Sequence, residues 1–234
     1  MNARTVDWAG LRGPAADPGG AEGLRERKKR QTRQLLTDTA SELFLERGFD
    51  NVSVAEIAAA CSVSQKTVFN YFPTKESLIL DHPDATEAAL RVALADPDTE
   101  PLDAAVGVLG DELAALCAWL DDQPDRAVAA DRFRRFGALI QSTPALRAYQ
   151  RDMAERLVAV AAERLAARWG GRADDPGPQA AATALLGLWP VQFRSIGRHL
   201  GRAATSARLR SAVTADLRRA AAVLRSGLTG PGTP

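Results

Sequence analysis

Seven consecutive residues, Gln65 to Tyr71, read QKTVFNY and carry side chains suited to nucleic-acid chemistry. A Gln or Asn amide can pair with adenine, a Lys ammonium can donate to guanine O6 and N7, a phenyl ring can meet a thymine methyl, and hydroxyls suit phosphate oxygens. Gathered at a helix N-terminus, such groups can enter a major groove. Spacing alone leaves a second reading open, a small amphipathic helical hairpin with a polar outer face. Other chemistries find less support. The two histidines, His82 and His199, have no cysteine or carboxylate at ligand spacing, so neither a metal nor a cofactor is expected. The residue two before Ser195 is Phe193, which excludes a G-x-S-x-G elbow, and no G-x-x-x-x-G-K loop occurs. No catalytic residue is assigned, and no enzyme is expected.

A helix must present residues 65–71, and the flanking sequence supplies its start and stop. Ser53 followed three residues later by Glu56 is a capping box, in which each side chain satisfies a backbone N–H left free at a helix start. A helix is therefore predicted from Val54, with Val54, Ile57, Ala58 and Cys61 on its apolar face. Ser62-Val63-Ser64 interrupts it with hydroxyls that compete for backbone bonds. Ser64 can cap a second helix, Gln65 to Phe72, with Val68 and Phe72 inward; Pro73 ends it and Thr74 caps the next, Thr74 to Asp81. Upstream, Leu36, Ala40, Leu43 and Phe44 mark one face of a long helix from Leu24 to Arg47, closed by Gly48. Its start is basic. Between Arg25 and Arg33 stand Arg25, Arg27, Lys28, Lys29, Arg30 and Arg33 against Glu26 alone, a local phosphate-binding candidate on a chain of formal net charge +1.

The segment resembles the DNA-binding domain of the tetracycline-repressor (TetR) family of bacterial transcription regulators. The resemblance rests on Arg33, Ala40, Leu43, Phe44, Gly48 and Phe49, then Ser53-Val54, Ile57-Ala58, Val63-Ser64, Thr67-Val68-Phe69, Tyr71-Phe72 and Lys75-Glu76, and it spans roughly residues 24 to 80. The run FNYFPTKE, Phe69 to Glu76, is similar to an actinobacterial subgroup that includes regulators answering to acyl-CoA or other apolar effectors. The resemblance implies that Gln65, Lys66 and Phe69 face base edges and that Ser53, Thr67, Tyr71 and Lys75 face phosphates. With Arg25, Lys28, Lys29, Arg33 and Asn70 these form the expected DNA-binding set. Two departures stand out. Ser62 occupies a turn position where the family commonly has glycine, so a left-handed backbone there would be strained, and Lys66 stands where a small residue often opens the recognition helix.

The rest of the chain extends this into an all-α architecture. Residues 1–21, rich in Gly, Pro, Ala and Asp, read as a disordered arm carrying Arg4 and Arg12. Residues 22–80 form the expected helix-turn-helix domain, and 81–230 an effector-binding and dimerisation domain. His82-Pro83 interrupts the connecting helix, which restarts at Asp84, paired with Glu87 in a second capping box, and runs to about Ala95. Helical stripes follow at Leu102–Leu120, Asp125–Gln141, Pro144–Trp169, Gln179–Leu200 with a kink at Pro190, and Thr205–Leu228. Cys61 and Cys117 read as buried small hydrophobes. The longest nearly apolar run, Ala180 to Val191, is short of the ~20 residues of a membrane span, and a soluble cytoplasmic protein is expected. Trp119, Phe133, Phe136, Tyr149, Met153, Trp189 and Phe193 could line a cavity for an apolar or amphipathic effector, with Gln192, Arg132, Arg194 or His199 as polar contacts. Trp189, Phe193 and Leu200 call for cover, and the family pairs its last two helices with a second subunit, which implies a homodimer through 179–228. The expected partners are thus a double-stranded DNA operator, a small effector and a second copy, with no membrane. A non-sensing architectural DNA-binding protein of the same fold is the alternative, and an all-α enzyme the remote one.

Overall fold

The computed structural model of the chain describes residues 23–80 and 83–227. The expected arm at 1–21, His82 and Leu228 lie outside them. The helices are α1 (Leu24–Arg47), α2 (Val54–Ala60), α3 (Gln65–Tyr71), α4 (Pro83–Ala93), α5 (Pro101–Asp121), α6 (Arg126–Ser142), α7 (Pro144–Trp169), α8 (Pro176–Leu186), α9 (Leu188–Leu200) and α10 (Ser206–Arg225), with a 3-10 turn at Glu76–Leu78. Among the described residues there is no strand, and the fold is all-α.

Packing separates two compact units, one formed by the chain up to Asp81 together with Asp131–Gln150, the other by His82–Ala130 with Arg151 onward. In the first, α1 packs on α2 and α2 on α3, and Leu36, Ala40 and Phe44 of α1, all 0% exposed, are buried together with Ile57 of α2, Val68 of α3 and Phe72 just after it. Each such side chain contributes on the order of 1.5–3 kcal/mol by leaving water. Helices of seven residues are marginal alone, so α2 and α3 depend on that packing and on their caps. Within the same unit Arg132 pairs with Glu42 at 3.1 Å and Arg135 donates to the Leu45 carbonyl at 2.9 Å, tying the 131–150 segment to α1. In the second unit one core joins Leu90 of α4 and Leu94 just after it with α5, α7 and α8, and another joins Leu109, Leu188 and Leu217; Trp189 packs against both.

Three expectations need correction. No helix runs from Thr74; the Ser77 hydroxyl donates to the Thr74 carbonyl at 2.7 Å, occupying the acceptor that a first α-helical bond would use, and Leu78 N–H turns to Lys75 instead. The helix expected over 179–200 starts at Pro176 and is divided at Gly187. The cause is still Pro190, but it acts one turn upstream, because a proline at 190 has no N–H for the Leu186 carbonyl. Finally, the large apolar groups of this stretch are covered within the chain. Leu200 is 1% exposed, Trp189 and Phe193 are half-buried, and Val223 at 38% is the one large hydrophobic exposed between 179 and 227.

Candidate nucleic-acid interface

The scaffold of the site is built by short-range polar bonds. The Ser53 hydroxyl accepts the Glu56 N–H at 3.2 Å and donates to the Glu56 carboxylate at 2.9 Å, while Ser53 N–H donates to that carboxylate at 2.8 Å. Arg47 adds an ion pair to Glu56 at 2.7 Å. These bonds, the Ser53 N–H foremost and then Arg47, bring the Glu56 carboxyl down from 4.5 to about 2. The predicted turn strain is present: Ser62 has φ 55 and is the one non-glycine with positive φ among the described residues. It lets Ser62 N–H reach Ala59 and Val63 N–H reach Ala58, closing the end of α2. Ser64 then caps α3, its hydroxyl accepting Thr67 N–H at 3.0 Å and bonding the Thr67 hydroxyl at 2.8 Å.

Two cations fasten the far side. The Arg33 guanidinium lies 4.6 Å from the Phe72 ring centre and donates to the Tyr71 carbonyl at 3.0 Å. Lys75 donates to the Phe49 carbonyl at 2.6 Å, and its ammonium sits 4.2 Å from the Phe49 ring and 5.6 Å from the Phe44 ring. The expected DNA-binding set is therefore divided. Ser53, Thr67, Arg33 and Lys75 are engaged within the protein, and Tyr71 is half-buried with its carbonyl taken by Arg33. Gln65, Lys66 and Asn70 are exposed on α3 beside Phe69, which is 48% exposed, and no described residue engages these side chains. Arg25, Lys28 and Lys29 are exposed on the first turns of α1. Sequence reasoning missed Arg47 and Asn51, whose mutual bonds (Asn51 amide to Arg47 carbonyl, 2.8 Å; Arg47 to Asn51 carbonyl, 3.1 Å) hold the loop after Gly48.

The expected effector contacts fall in both units. Phe133, Phe136 and Tyr149 belong to the first; Trp119, Met153, Trp189, Gln192 and Phe193 belong to the second. Arg132 is taken by Glu42, and His199 by Asp216 at 3.1 Å. Ser195 donates to the same Asp216 oxygen at 2.6 Å rather than to the histidine, so this serine is not activated as a nucleophile. That bond first, then His199 and the arginines Arg198 and Arg219, lowers the Asp216 carboxyl. One polar residue of this unit went unremarked. Glu112, in the apolar stripe of α5, accepts from the Thr86 hydroxyl at 2.8 Å and the Trp189 indole N–H at 3.3 Å. Its signal was an acid placed three residues from Leu109 on the buried face of α5.

Comparison with known proteins agrees with this arrangement. Residues 36–81 match the family model for bacterial regulatory proteins of the tetR family, and residues 124–229 match that of the MftR C-terminal domain. The HTH-type transcriptional regulator TcmR of Streptomyces glaucescens is 34% identical over 155 residues, 65% of this chain and 67% of that one. MftR of Mycobacterium tuberculosis, a regulator named for mycofactocin biosynthesis, is 30% identical over 162 residues, 69% of this chain and 78% of its own. Among solved structures, native NalD, the secondary repressor of the MexAB-OprM multidrug efflux pump in Pseudomonas aeruginosa, shares the fold with a TM-score of 0.50 at 21% identity, covering 82% of this chain and 96% of NalD. With two short capped helices of the kind that regulators called HTH-type imply, the chain belongs to the TetR family of DNA-binding transcriptional regulators, which are not enzymes.

Proposed function

We infer that the protein is a ligand-responsive repressor that binds an inverted-repeat operator as a homodimer and is released by a small apolar or amphipathic effector, acyl-CoA among the candidates. The outer face of α3 carries the DNA half of this reading. Gln65, Lys66 and Asn70 have no partner in the described protein, and beside them an aromatic ring is half exposed, on a helix fastened at both ends. Held in this way, the backbone of α3 needs no ordering on meeting base edges, and the three polar groups are free to pair there. The basic first turns of α1 supply phosphate contacts that position without specifying. Dimerisation through 179–228 is supported by the small residues turned outward there, Ala180, Thr183, Gly187 and Gly197, which let a second pair of helices approach closely. The sensing half rests on Trp119, buried, and Trp189 and Phe193, half-buried, in the second unit. An effector that weakens DNA binding tenfold reports about 1.4 kcal/mol of coupling, and DNA must weaken effector binding equally.

Duplexes tiled across the DNA upstream of the protein's own gene, titrated by fluorescence anisotropy, test the reading. One duplex containing an inverted repeat should bind about a thousandfold or more tighter than its scrambled copy at physiological salt. Uniform affinity across all tiles, with only a salt-dependent component, contradicts operator recognition.

A further inference from the structure

Glu112 is a carboxylate placed where little in the chain favours one. It sits half-buried on α5 one turn from Leu109, which is 0% exposed, and is bonded from α4 and from α9. Both of its hydrogen bonds, from Thr86 and from Trp189, reach the same oxygen, Oε1, and no lysine, arginine or histidine among the described residues pairs with it. Burial pushes its carboxyl up, with the two bonds opposing. Even a half-buried carboxylate without a counter-charge is unfavourable, and two neutral donors on one oxygen offset only part of that.

A second acceptor lies one turn away on the same seam. Gln192, 4% exposed, donates its amide N–H to the Leu109 carbonyl at 3.0 Å. That bond fixes the amide orientation, since the opposite flip would set oxygen against oxygen. The Gln192 Oε1 is left buried with no donor against it among the described residues. Leu109 and Glu112 are three residues apart on α5 and Trp189 and Gln192 three apart on α9, so the two cross-helix bonds join neighbouring turns of the same two helices, about 4.5 Å of rise along each axis. The seam thus holds one buried acceptor without a donor, Gln192 Oε1, and beside it a half-buried carboxylate without a counter-charge among the described residues. Trp189 adds an apolar wall that continues into both cores of the unit.

We propose that Glu112 and Gln192 form the polar end of an effector site that takes the hydrogen-bond-donating head of an apolar molecule, a protonated amine foremost and a hydroxyl second, and turns away carboxylates. This rests on the reading of the second unit as effector-binding and narrows its ligand class. A donor head completes Gln192 Oε1 and supplies the counter-charge Glu112 lacks. In doing so it competes with Thr86 for the carboxylate, and Thr86 is the contact that ties α4 to α5 at this point.

Decylammonium, decan-1-ol and decanoate share a chain and differ only in head group, so calorimetric titration of the full chain below their micellar concentrations reads the preference directly. Decylammonium should bind at least tenfold tighter than decanoate, with decanol between. Glu112→Gln should remove that advantage and leave decanol affinity within about threefold, because the isosteric amide keeps the shape and loses the charge. Thr86→Val, which frees an acceptor without changing charge, should move affinity the other way, raising the preference for ammonium over decanoate; it serves if the Gln variant does not fold. Decanoate binding as tightly as decylammonium, an unchanged ratio in both variants, or no binding of any probe overturns the proposal. DNA release is followed in the same samples with the operator duplex. Release by decanoate alone would overturn the donor-head assignment while leaving a ligand-responsive regulator intact, whereas failure of the protein to bind any operator is a failure of the broader reading.

Discussion

At the scale of single residues, the caps were the most legible part of the chain and the long cations the least. Ser53 with Glu56 and Ser64 with Thr67 act over three residues, so sequence spacing contains all their geometry. Ser62 was legible only through the resemblance, which places it where the family commonly has the glycine that a left-handed backbone favours. Glu56 gives a pH-dependent consequence. Its folded value, about 2, lies below its ordinary 4.5, so the stability it confers is present above about 4.5 and is lost as pH falls through about 2. The melting temperature of wild type minus that of Glu56→Gln should therefore shrink on acidifying across that window. A difference that stays constant from pH about 4.5 down to about 2 would show that the capping box contributes no ionic stabilisation.

The element scale shows why contacts distant in sequence could not be foreseen. Lys75 follows Thr74 by one residue and suits a phosphate by its type; only the folded chain brings Phe49 and Phe44 under its ammonium. The helix assignments themselves were readable where Pro, Gly and apolar spacing agree, as in Leu24–Arg47 and Pro144–Trp169. They failed where a side chain competes with the helical ladder, as Ser77 does for Thr74, or where a proline acts a turn away, as Pro190 does at Gly187. Lys75 joins the 3-10 turn region to the end of α1, so Lys75→Ala should cost about 1–3 kcal/mol of stability through the lost charge-assisted bond and ring contacts. It should also lower affinity for all DNA sequences together, with a smaller salt slope if the ammonium additionally reaches a phosphate. Chemical denaturation that leaves the midpoint unchanged would mean that the Phe49 contact carries no weight.

For the whole molecule, the all-α class was legible from periodicity and resemblance. The grouping of 131–150 with α1 was not, because it rests on Arg132 and Arg135 meeting residues some ninety positions away. The apolar stripe that first argued for a dimer is largely taken up by the chain's own core, and what faces out over α8 and α9 is Ala180, Thr183, Gly187 and Gly197 interleaved with Gln179, Arg194 and Arg198. Gly197 offers a clean probe of that face, since a Cβ built there meets nothing within 4 Å. Gly197→Arg should leave the fold intact, even gaining up to about 1 kcal/mol of helix propensity, yet yield monomers in sedimentation and lose tight operator binding. A sedimentation profile identical to wild type removes α9 from the dimer seam.

The central claim is that the outward face of α3 reads base sequence, and the most direct measurement is a titration of Lys66→Ala against operator and scrambled duplexes across a salt series. Lys66 is exposed, unengaged and remote from the buried side of α3, so its loss should not disturb the fold. Operator affinity should fall by about 1–3 kcal/mol per half-site with relaxed discrimination at one or two base pairs, while scrambled DNA binds almost as before. An equal loss on both duplexes, or none on either, contradicts base reading by this helix.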